Sequence, residues 1–248
     1  MTLFSILLLG FFLGMRHATD SDHVIAVTTI VSRERRISDA ALTGVFWGIG
    51  HSLTLLIVGG AIILFGIVIP ERVGMSLEFC VALMLIGLGF FNLRAFRNVA
   101  VHDLPHQHGD YVHSHPHEHR PDEHGHAENA VPPARLDRWF GRSRIYRALR
   151  PIIIGIVHGL AGSAAVALLV LPIIREPLWA MAYLIIFGVG TIAGMMLITA
   201  AISVPVAYSA RRFLFFNRWI GVTAGADSLC FGAFLVYQIG FVEGLFAR

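Results

Sequence analysis

The chain has 248 residues, of which 56% are hydrophobic and 14% are charged, and its mean hydropathy is +0.69. This composition excludes a water-soluble globular domain and predicts an integral membrane protein. The formal net charge of +3 comes with arginine as the only strong base, since the sequence contains no lysine. Arginine in membrane-flanking loops explains this charge without a nucleic-acid partner.

The first apolar segment, residues 3–31, is interrupted at residues 14–23 by Gly-Met-Arg-His-Ala-Thr-Asp-Ser-Asp-His. The thirteen residues of this segment before Arg16, residues 3–15, are too few to cross a bilayer, because a spanning helix needs about 20. The span must therefore include charged groups, each of which costs about 2.5–3.5 kcal/mol at the bilayer centre. Imidazole and carboxylate groups without thiolate suit a divalent transition metal. The sequence predicts a metal site formed by His17, Asp20, Asp22 and His23.

The geometry of a straight helix separates these four side chains. His17, Asp20 and His23 fall on one stripe about 120° wide, whereas Asp22 points about 140° away from His17. All four can converge on one ion only if the helix unwinds near residues 18–21, where Thr-Asp-Ser competes for backbone hydrogen bonds. Alternatively, one carboxylate lies behind the ligands and accepts the second ring N–H of a histidine. We expect Asp20 to hold that supporting position. The alternative interpretation of the whole group is a structural one, in which these polar side chains only join neighbouring helices.

Five further apolar segments of spanning length follow, at about 41–69, 74–93, 151–174, 178–207 and 219–242. Joined alternately, six spans place fifteen arginines on one side of the membrane and three on the other. The arginine-rich side is predicted to be cytoplasmic, so both termini lie outside. The predicted fold is all-α, with a first three-helix transmembrane unit at 1–96, a cytoplasmic loop at 97–150 and a second three-helix unit at 151–248, in the bacterial inner membrane.

Four polar residues in the later spans are further candidates for the site. His51 is flanked by Gly48 and Gly50, which permit close helix approach, and we expect it to be a ligand. His158, Asn92 and Asp227 are weaker candidates. For His158, packing or gating is an equal alternative, because no carboxylate is near it in the sequence. Asn92 alternatively caps its helix, and Asp227 should have a partner because a lone buried carboxylate is costly.

Two matches between the halves of the chain suggest an internal repeat. Residues 14–18 resemble residues 155–159 at an offset of 141, and residues 46–51 resemble residues 186–191 at an offset of 140. Because three spans is an odd number, the two halves would have opposite orientations in the bilayer. Inverted repeats are common in secondary transporters, which hold substrate near the midplane at interrupted helices. We predict two inverted three-helix repeats around a central site.

The predicted cytoplasmic loop is polar, proline-rich and dense in histidine, so it is expected to be disordered. It contains nine of the thirteen histidines: His102, His106, His108, His113, His115, His117, His119, His124 and His126. Dense histidine with nearby carboxylates predicts capture of Ni, Co, Zn or Cu(II). A solvated linker of biased composition is the alternative.

Residues 17–23 resemble the H-x4-D-H signature of the nickel/cobalt transporter family, and they are preceded as in that family by glycine and arginine. Residues 46–52 resemble the family's second histidine motif, and residues 86–93 resemble its next span. Residues 155–165 are similar to the short branch of urease-accessory, UreH-like membrane proteins. The resemblance implies a proton-coupled or potential-driven permease for Ni²⁺ or Co²⁺, with the H-x4-D-H residues as binding and selectivity ligands.

Two features depart from that family. Its larger members have eight spans, and the histidine-rich loop resembles six-span nickel/cobalt efflux proteins, so the direction of transport stays open. We predict a carrier of Ni²⁺ first and Co²⁺ second, with uptake favoured, no bound cofactor, and the bilayer and the ion as partners. A cytoplasmic metallochaperone is a candidate partner. Alternatives are an intramembrane metalloenzyme that activates water and a haem protein using His17, His51 and His158. No H-E-x-x-H motif or separate general base supports an enzyme.

Overall fold

The computed structural model describes residues 3–32, 34, 36–67, 69–97, 106–108, 111–113, 148–160, 174, 176–212 and 214–246. This part of the chain contains seven α-helices. They are α1 (Leu3–His17), α2 (Ser21–Val31), α3 (Ile37–Phe65), α4 (Glu71–Arg97), α5 (Ala148–Leu160), α6 (Pro177–Arg212) and α7 (Leu214–Tyr237). A π-helical turn, Gln238–Val242, continues α7.

Four of these helices are long and apolar enough to cross a membrane: Ile37–Phe65, Glu71–Ala95, Pro177–Ser209 and Asn217–Val242. Three shorter apolar helices, α1, α2 and α5, accompany them. The prediction of a helical fold with apolar helices of spanning length is therefore confirmed, apart from two short strands described below. The predicted fourth span, residues 151–174, is described only to residue 160 and at residue 174, so the count of six spans stays a prediction.

The first predicted span consists of two helices with a break at residues 18–20. Thr19 and Asp20 donate their N–H groups to the carbonyl oxygens of Arg16 and His17, at 2.8 and 3.1 Å, so the chain tightens from i→i−4 to i→i−3 bonds. Asp20 then precedes α2 with extended backbone (φ −61°, ψ 147°) and makes no side-chain cap bond. The helix is thus interrupted at the place where the sequence analysis considered unwinding as one of two alternatives.

The helix contacts are centred on α6. α1 and α3 both lie along α6, α4 lies along α7, and α2 contacts α4, α6 and α7. The centre of this bundle is a buried apolar cluster to which α2, α3, α4 and α6 contribute Val27, Trp47, Leu85 and Met195. α3 is thereby held at the middle of the bundle, with its polar residue His51 buried.

Glycines bring two pairs of helices into backbone contact. A Cβ atom on Gly14 of α1 would lie 3.0 Å from the backbone N of Thr191 in α6. A Cβ atom on Gly155 of α5 would lie 2.9 Å from the backbone N of His51 in α3. Gly155 lies 141 residues after Gly14, and Thr191 lies 140 residues after His51. The α1–α6 and α5–α3 contacts therefore join corresponding residues of the two halves.

The α4–α7 contact is reciprocal in the same way. A Cβ atom on Gly89 would lie 2.7 Å from the backbone N of Leu229, and one on Gly232 would lie 2.9 Å from the backbone N of Ile86. An offset of 143 relates Gly89 to Gly232 and Ile86 to Leu229. Each of the two helices therefore presents a glycine to the same position of the other.

Two short strands lie in the predicted loop, β1 (His106–His108) and β2 (Tyr111–His113). They pair antiparallel, with His106 opposite His113. The expectation of disorder is therefore wrong for these six residues; Gly-Asp, the pair between them in the sequence, is common in hairpins. The other predicted capture residues lie outside the described residues: His102, His115, His117, His119, His124 and His126.

Candidate metal centre

Side chains from four helices and from the break between α1 and α2 meet in the bundle interior. We call this group the histidine cluster: His17, Asp20, Asp22, His23, His51 and His158. It contains all five residues predicted most strongly from the sequence, together with the weaker candidate His158. The break separates His17 from Asp22 and His23, so these side chains do not follow the stripe of one straight helix.

His17 and His51 face each other through their Nε2 atoms, which lie 3.2 Å apart. The other ring nitrogen of His17, Nδ1, donates to Oδ2 of Asp20 at 2.7 Å. This hydrogen bond assigns the proton of His17 to Nδ1 and leaves a lone pair on Nε2. Metal–nitrogen bonds of about 2.0–2.1 Å would place two neighbouring ligand nitrogens about 3.0–3.4 Å apart. The observed spacing therefore suits two ligands of one ion.

Asp22 joins two further histidines. Its Oδ1 accepts from Nδ1 of His23 at 3.1 Å, and its Oδ2 accepts from Nε2 of His158 at 2.8 Å. No carboxylate lies near His158 in the sequence, and Asp22 supplies one from the other half of the chain. The carboxylate thereby links α2 to α5 and assigns one ring nitrogen of each histidine as the donor.

The described residues contain two overlapping sets of side chains able to hold a metal ion. One set is His17, His23 and His51, the other is Asp22, His23 and His158, and the ligand atoms within each set lie within 4.8 Å of one another. Among the described residues, His23 Nε2, His51 Nδ1 and His158 Nδ1 have no hydrogen-bond partner. Burying an unpaired polar atom costs about 1–3 kcal/mol. Because the other ring nitrogens of His23 and His158 donate to Asp22, His23 Nε2 and His158 Nδ1 keep lone pairs that a cation can occupy.

Three rings of the cluster are buried, whereas its two carboxylates are partly exposed. His51, His158 and His23 are 0%, 1% and 2% exposed, whereas the side chains of Asp22 and Asp20 are 32% and 52% exposed. His51 is the middle residue of the 29-residue helix α3, about 21 Å from either end at 1.5 Å per residue. The three rings therefore lie deep in the bundle, at mid-depth of a spanning helix. The two carboxylates form the partly exposed side of the cluster, from which an ion could approach.

Trp47, to which the sequence pattern assigns no role, contacts two rings of the cluster. Its indole is stacked on His23, with ring centroids 5.9 Å apart and planes 19° apart, and it meets His158 edge-on at 5.5 Å and 72°. Trp47 is fully buried, and its Nε1 has no hydrogen-bond partner among the described residues. The signal that could have found it is its position one helical turn before His51, on the same face of α3.

The other two weak candidates lie apart from both ligand sets. Asn92 is buried, donates from Nδ2 to the carbonyl oxygen of Gly221 at 2.8 Å, and accepts from Ser32 Oγ at 3.4 Å. It therefore joins α4 to α7 and to the end of α2. Asp227 is exposed on α7 and belongs to neither set, so the expected burial of its carboxylate does not occur.

The chain matches the family model described as "High-affinity nickel-transport protein", NicO, over residues 3–224. It is also similar to the urease accessory protein UreH of Bacillus sp. (strain TB-90). The two are 38% identical over 246 residues, which cover 98% of this chain and 96% of that protein. No solved structure matches the chain. The range matched by the family model includes the whole histidine cluster.

Proposed function

Because the chain belongs to the high-affinity nickel-transport family, NicO, we propose that it carries Ni²⁺, and Co²⁺ in second place, through the histidine cluster. Membership of this family makes the chain a membrane transporter and not an enzyme. The observation that carries the proposal is the convergence of three histidines from α1, α2 and α3 at mid-depth of the bundle. Imidazole nitrogen favours such borderline ions over Mg²⁺ and Ca²⁺, which prefer oxygen.

In this proposal His17, His23 and His51 bind the ion. Asp20 and Asp22 accept the Nδ1 protons of His17 and His23, so both rings present Nε2 to the ion. The three imidazoles are neutral when they bind, and the two carboxylates lie behind them to balance the charge of the cation. Asp22, which the sequence placed among the ligands, acts here through His23 and is within reach of the ion in the second set.

The overlap of the two sets suggests how an ion moves. His23 belongs to both sets, and its ring centroid lies 5.1 Å from that of His51 and 4.3 Å from that of His158. An ion can therefore exchange His17 and His51 for Asp22 and His158 while it stays bound to His23. Such stepwise exchange avoids the cost of a bare divalent ion in an apolar interior.

We propose that residues 1–96 and 151–248 are two inverted repeats, which exchange access to the site between the two membrane faces. Reciprocal contacts support this arrangement. Cβ atoms on Gly190 and on Gly50 would lie 3.1 Å from the Cα atoms of Phe11 and Ile152, respectively. The two contacts are related by the same offsets of 140 and 141 that relate the sequence motifs.

We propose uptake into the cytoplasm across the inner membrane, with both termini outside. The name of the relative, a urease accessory protein, favours uptake, because such a role requires metal to reach an enzyme. Efflux is the alternative, supported by the nine histidines on the predicted cytoplasmic side. A haem site is not supported, because the 3.2 Å between His17 Nε2 and His51 Nε2 leaves no room for a macrocycle between them.

The decisive experiment measures radiolabelled nickel uptake by proteoliposomes in which the orientation of the purified protein is known. We expect His17→Ala, Asp22→Ala and His23→Ala each to lower uptake at least tenfold at equal insertion, because each removes a ligand or the carboxylate that orients it. His113→Ala, in the loop, is the matched control and should transport normally. Repeating the measurement with the protein in the opposite orientation, or with the nickel gradient reversed, determines the direction of transport.

Normal transport by two of the three cluster variants would contradict the ligand assignment. Normal binding with no movement of nickel in either direction, in wild-type protein, would contradict the proposed transport.

A further inference from the structure

We propose that Trp47 is a positioning residue of the histidine cluster, whose indole holds the imidazole planes of His23 and His158 in the orientation in which they bind the ion. The inference deepens the proposed function and rests on it. Trp47 contacts the ring that the two ligand sets share and a ring of the second set. Its position therefore bears on metal geometry in both sets.

Hydrogen bonds alone leave these rings a degree of freedom. Asp22 holds His23 at Nδ1 and His158 at Nε2, and a single bond to one ring nitrogen permits rotation of the ring plane about that contact. The indole supplies the missing constraint, because it lies nearly parallel to the His23 ring (19°) and nearly perpendicular to the His158 ring (72°). Bond and stack together determine where the free lone pairs of His23 Nε2 and His158 Nδ1 point.

The indole can act as a support because it is itself immobile. Trp47 is fully buried and belongs to the central apolar cluster with Val27, Leu85 and Met195. On the side of α5, a Cβ atom on Gly155 would lie only 2.7 Å from its Cδ1. Helices on several sides thus enclose the ring, and a close-packed interior resists its reorientation.

The indole also favours the metal-bound state electrostatically. An imidazole that donates its lone pair to a divalent ion becomes electron-poor, and the face of tryptophan attracts positive groups within about 6 Å of the ring centroid. The His23 centroid lies within that range, at 5.9 Å. Trp47 also keeps a buried N–H without a partner among the described residues, although buried indole N–H groups are usually bonded. A plain apolar side chain would fill the space without this cost, so its aromatic surface serves more than packing.

The test compares wild-type protein with Trp47→Phe and Trp47→Leu in detergent. Nickel dissociation constants are measured by competition, and the visible d–d absorption of bound Co²⁺ reports the geometry of its ligands. We expect Trp47→Leu to weaken nickel binding about tenfold, as do changes behind metal ligands, and to shift the Co²⁺ band. Trp47→Phe keeps a smaller ring and should lose about threefold, with a smaller shift. The exposed Trp179 of α6 provides the control, Trp179→Leu, which should match wild-type protein.

A folded Trp47→Leu protein with wild-type nickel affinity and Co²⁺ spectrum would overturn the proposal. Weaker binding with an unchanged Co²⁺ spectrum would also overturn it, because a residue that only packs alters stability without altering ligand geometry. Where Trp47→Leu does not fold, Trp47→Phe decides by the same two measurements. Absence of nickel binding in wild-type protein would instead contradict the proposed function, so the two failures are distinguishable.

Discussion

Replacing Gly155 with alanine should separate α5 from α3 and disturb the histidine cluster. The new Cβ atom would meet the carbonyl oxygen of Trp47 and would lie 2.7 Å from its Cδ1 and 2.9 Å from the backbone N of His51. Ordinary contacts of a Cβ atom begin at 3.4 Å. The facing atoms are backbone and an enclosed ring, so α5 must move by about 1 Å, since a close-packed interior does not yield.

The displacement reaches the site because His158 lies three residues after Gly155, on the same face of α5. Its Nε2 now lies 2.8 Å from Asp22 Oδ2, and a shift of about 1 Å would take this pair beyond hydrogen-bond distance. Overpacking of this kind costs about 1–3 kcal/mol of stability. We expect Gly155→Ala to lower the thermal unfolding temperature and to weaken nickel binding.

Gly87→Ala in α4 is the matched control, because a Cβ atom there would meet nothing within 4 Å. Both variants are purified in detergent, and their unfolding temperatures and nickel dissociation constants are compared with those of wild-type protein. A Gly155→Ala protein as stable as the Gly87→Ala control, with undiminished nickel binding, would refute the argument that glycine is required at the α5–α3 contact.

Three further predictions concern the loop, the topology and the repeat. Replacing residues 102–126 with a Gly/Ser segment of equal length should leave nickel translocation measurable and lower the number of ions bound per protein, because the nine loop histidines add metal-binding capacity, whereas the histidine cluster holds the ligand geometry that selects the ion. Complete loss of transport by a properly inserted protein would move the essential ligands into the loop. Reporters fused at Gly109 and after Arg248 should read cytoplasmic and external, respectively; the opposite result would contradict the arginine rule. Gly14→Ala should destabilise the protein about as much as Gly155→Ala, and clearly unequal unfolding temperatures would count against corresponding contacts in two repeats.

The sequence was sufficient to predict most of the residues that the structure brings together in the histidine cluster. Charged residues inside an apolar segment are costly, so His17, Asp22 and His23 stood out without any knowledge of the fold. The break at residues 18–20 was predictable for a local reason, since Thr-Asp-Ser competes for backbone hydrogen bonds. Asp20 was expected to lie behind a ligand histidine, and its Oδ2 lies 2.7 Å from Nδ1 of His17.

Other features of the site depend on contacts between distant parts of the chain. His158 is hydrogen-bonded to the carboxylate of Asp22, which lies 136 residues earlier in the chain. No local sequence pattern predicts that pairing. In the sequence Trp47 cannot be distinguished from an ordinary core residue of an apolar helix. Only the approach of α5 to α3 brings its indole into contact with two imidazoles. The exposure of Asp227 depends on which face of α7 packs inward, and its apolar neighbours do not determine this.

Five of the six residues of the histidine cluster belong to the first half of the chain, although the helix contacts around the cluster are reciprocal between the halves. His17 and His158 stand at the corresponding positions of the two halves, but the counterpart of His51 is Thr191, which donates its hydroxyl to the carbonyl oxygen of Phe187 in its own helix. In the proposed inverted repeat, His17, His23 and His51 all belong to the first half and can move as a unit with the bound ion. Asp22 and His158 then form the polar contact that joins the two halves at the site. Relative movement of the halves would change this contact while the three-histidine set stays together, so we expect the second ligand set to be the one that forms and breaks in the proposed transport.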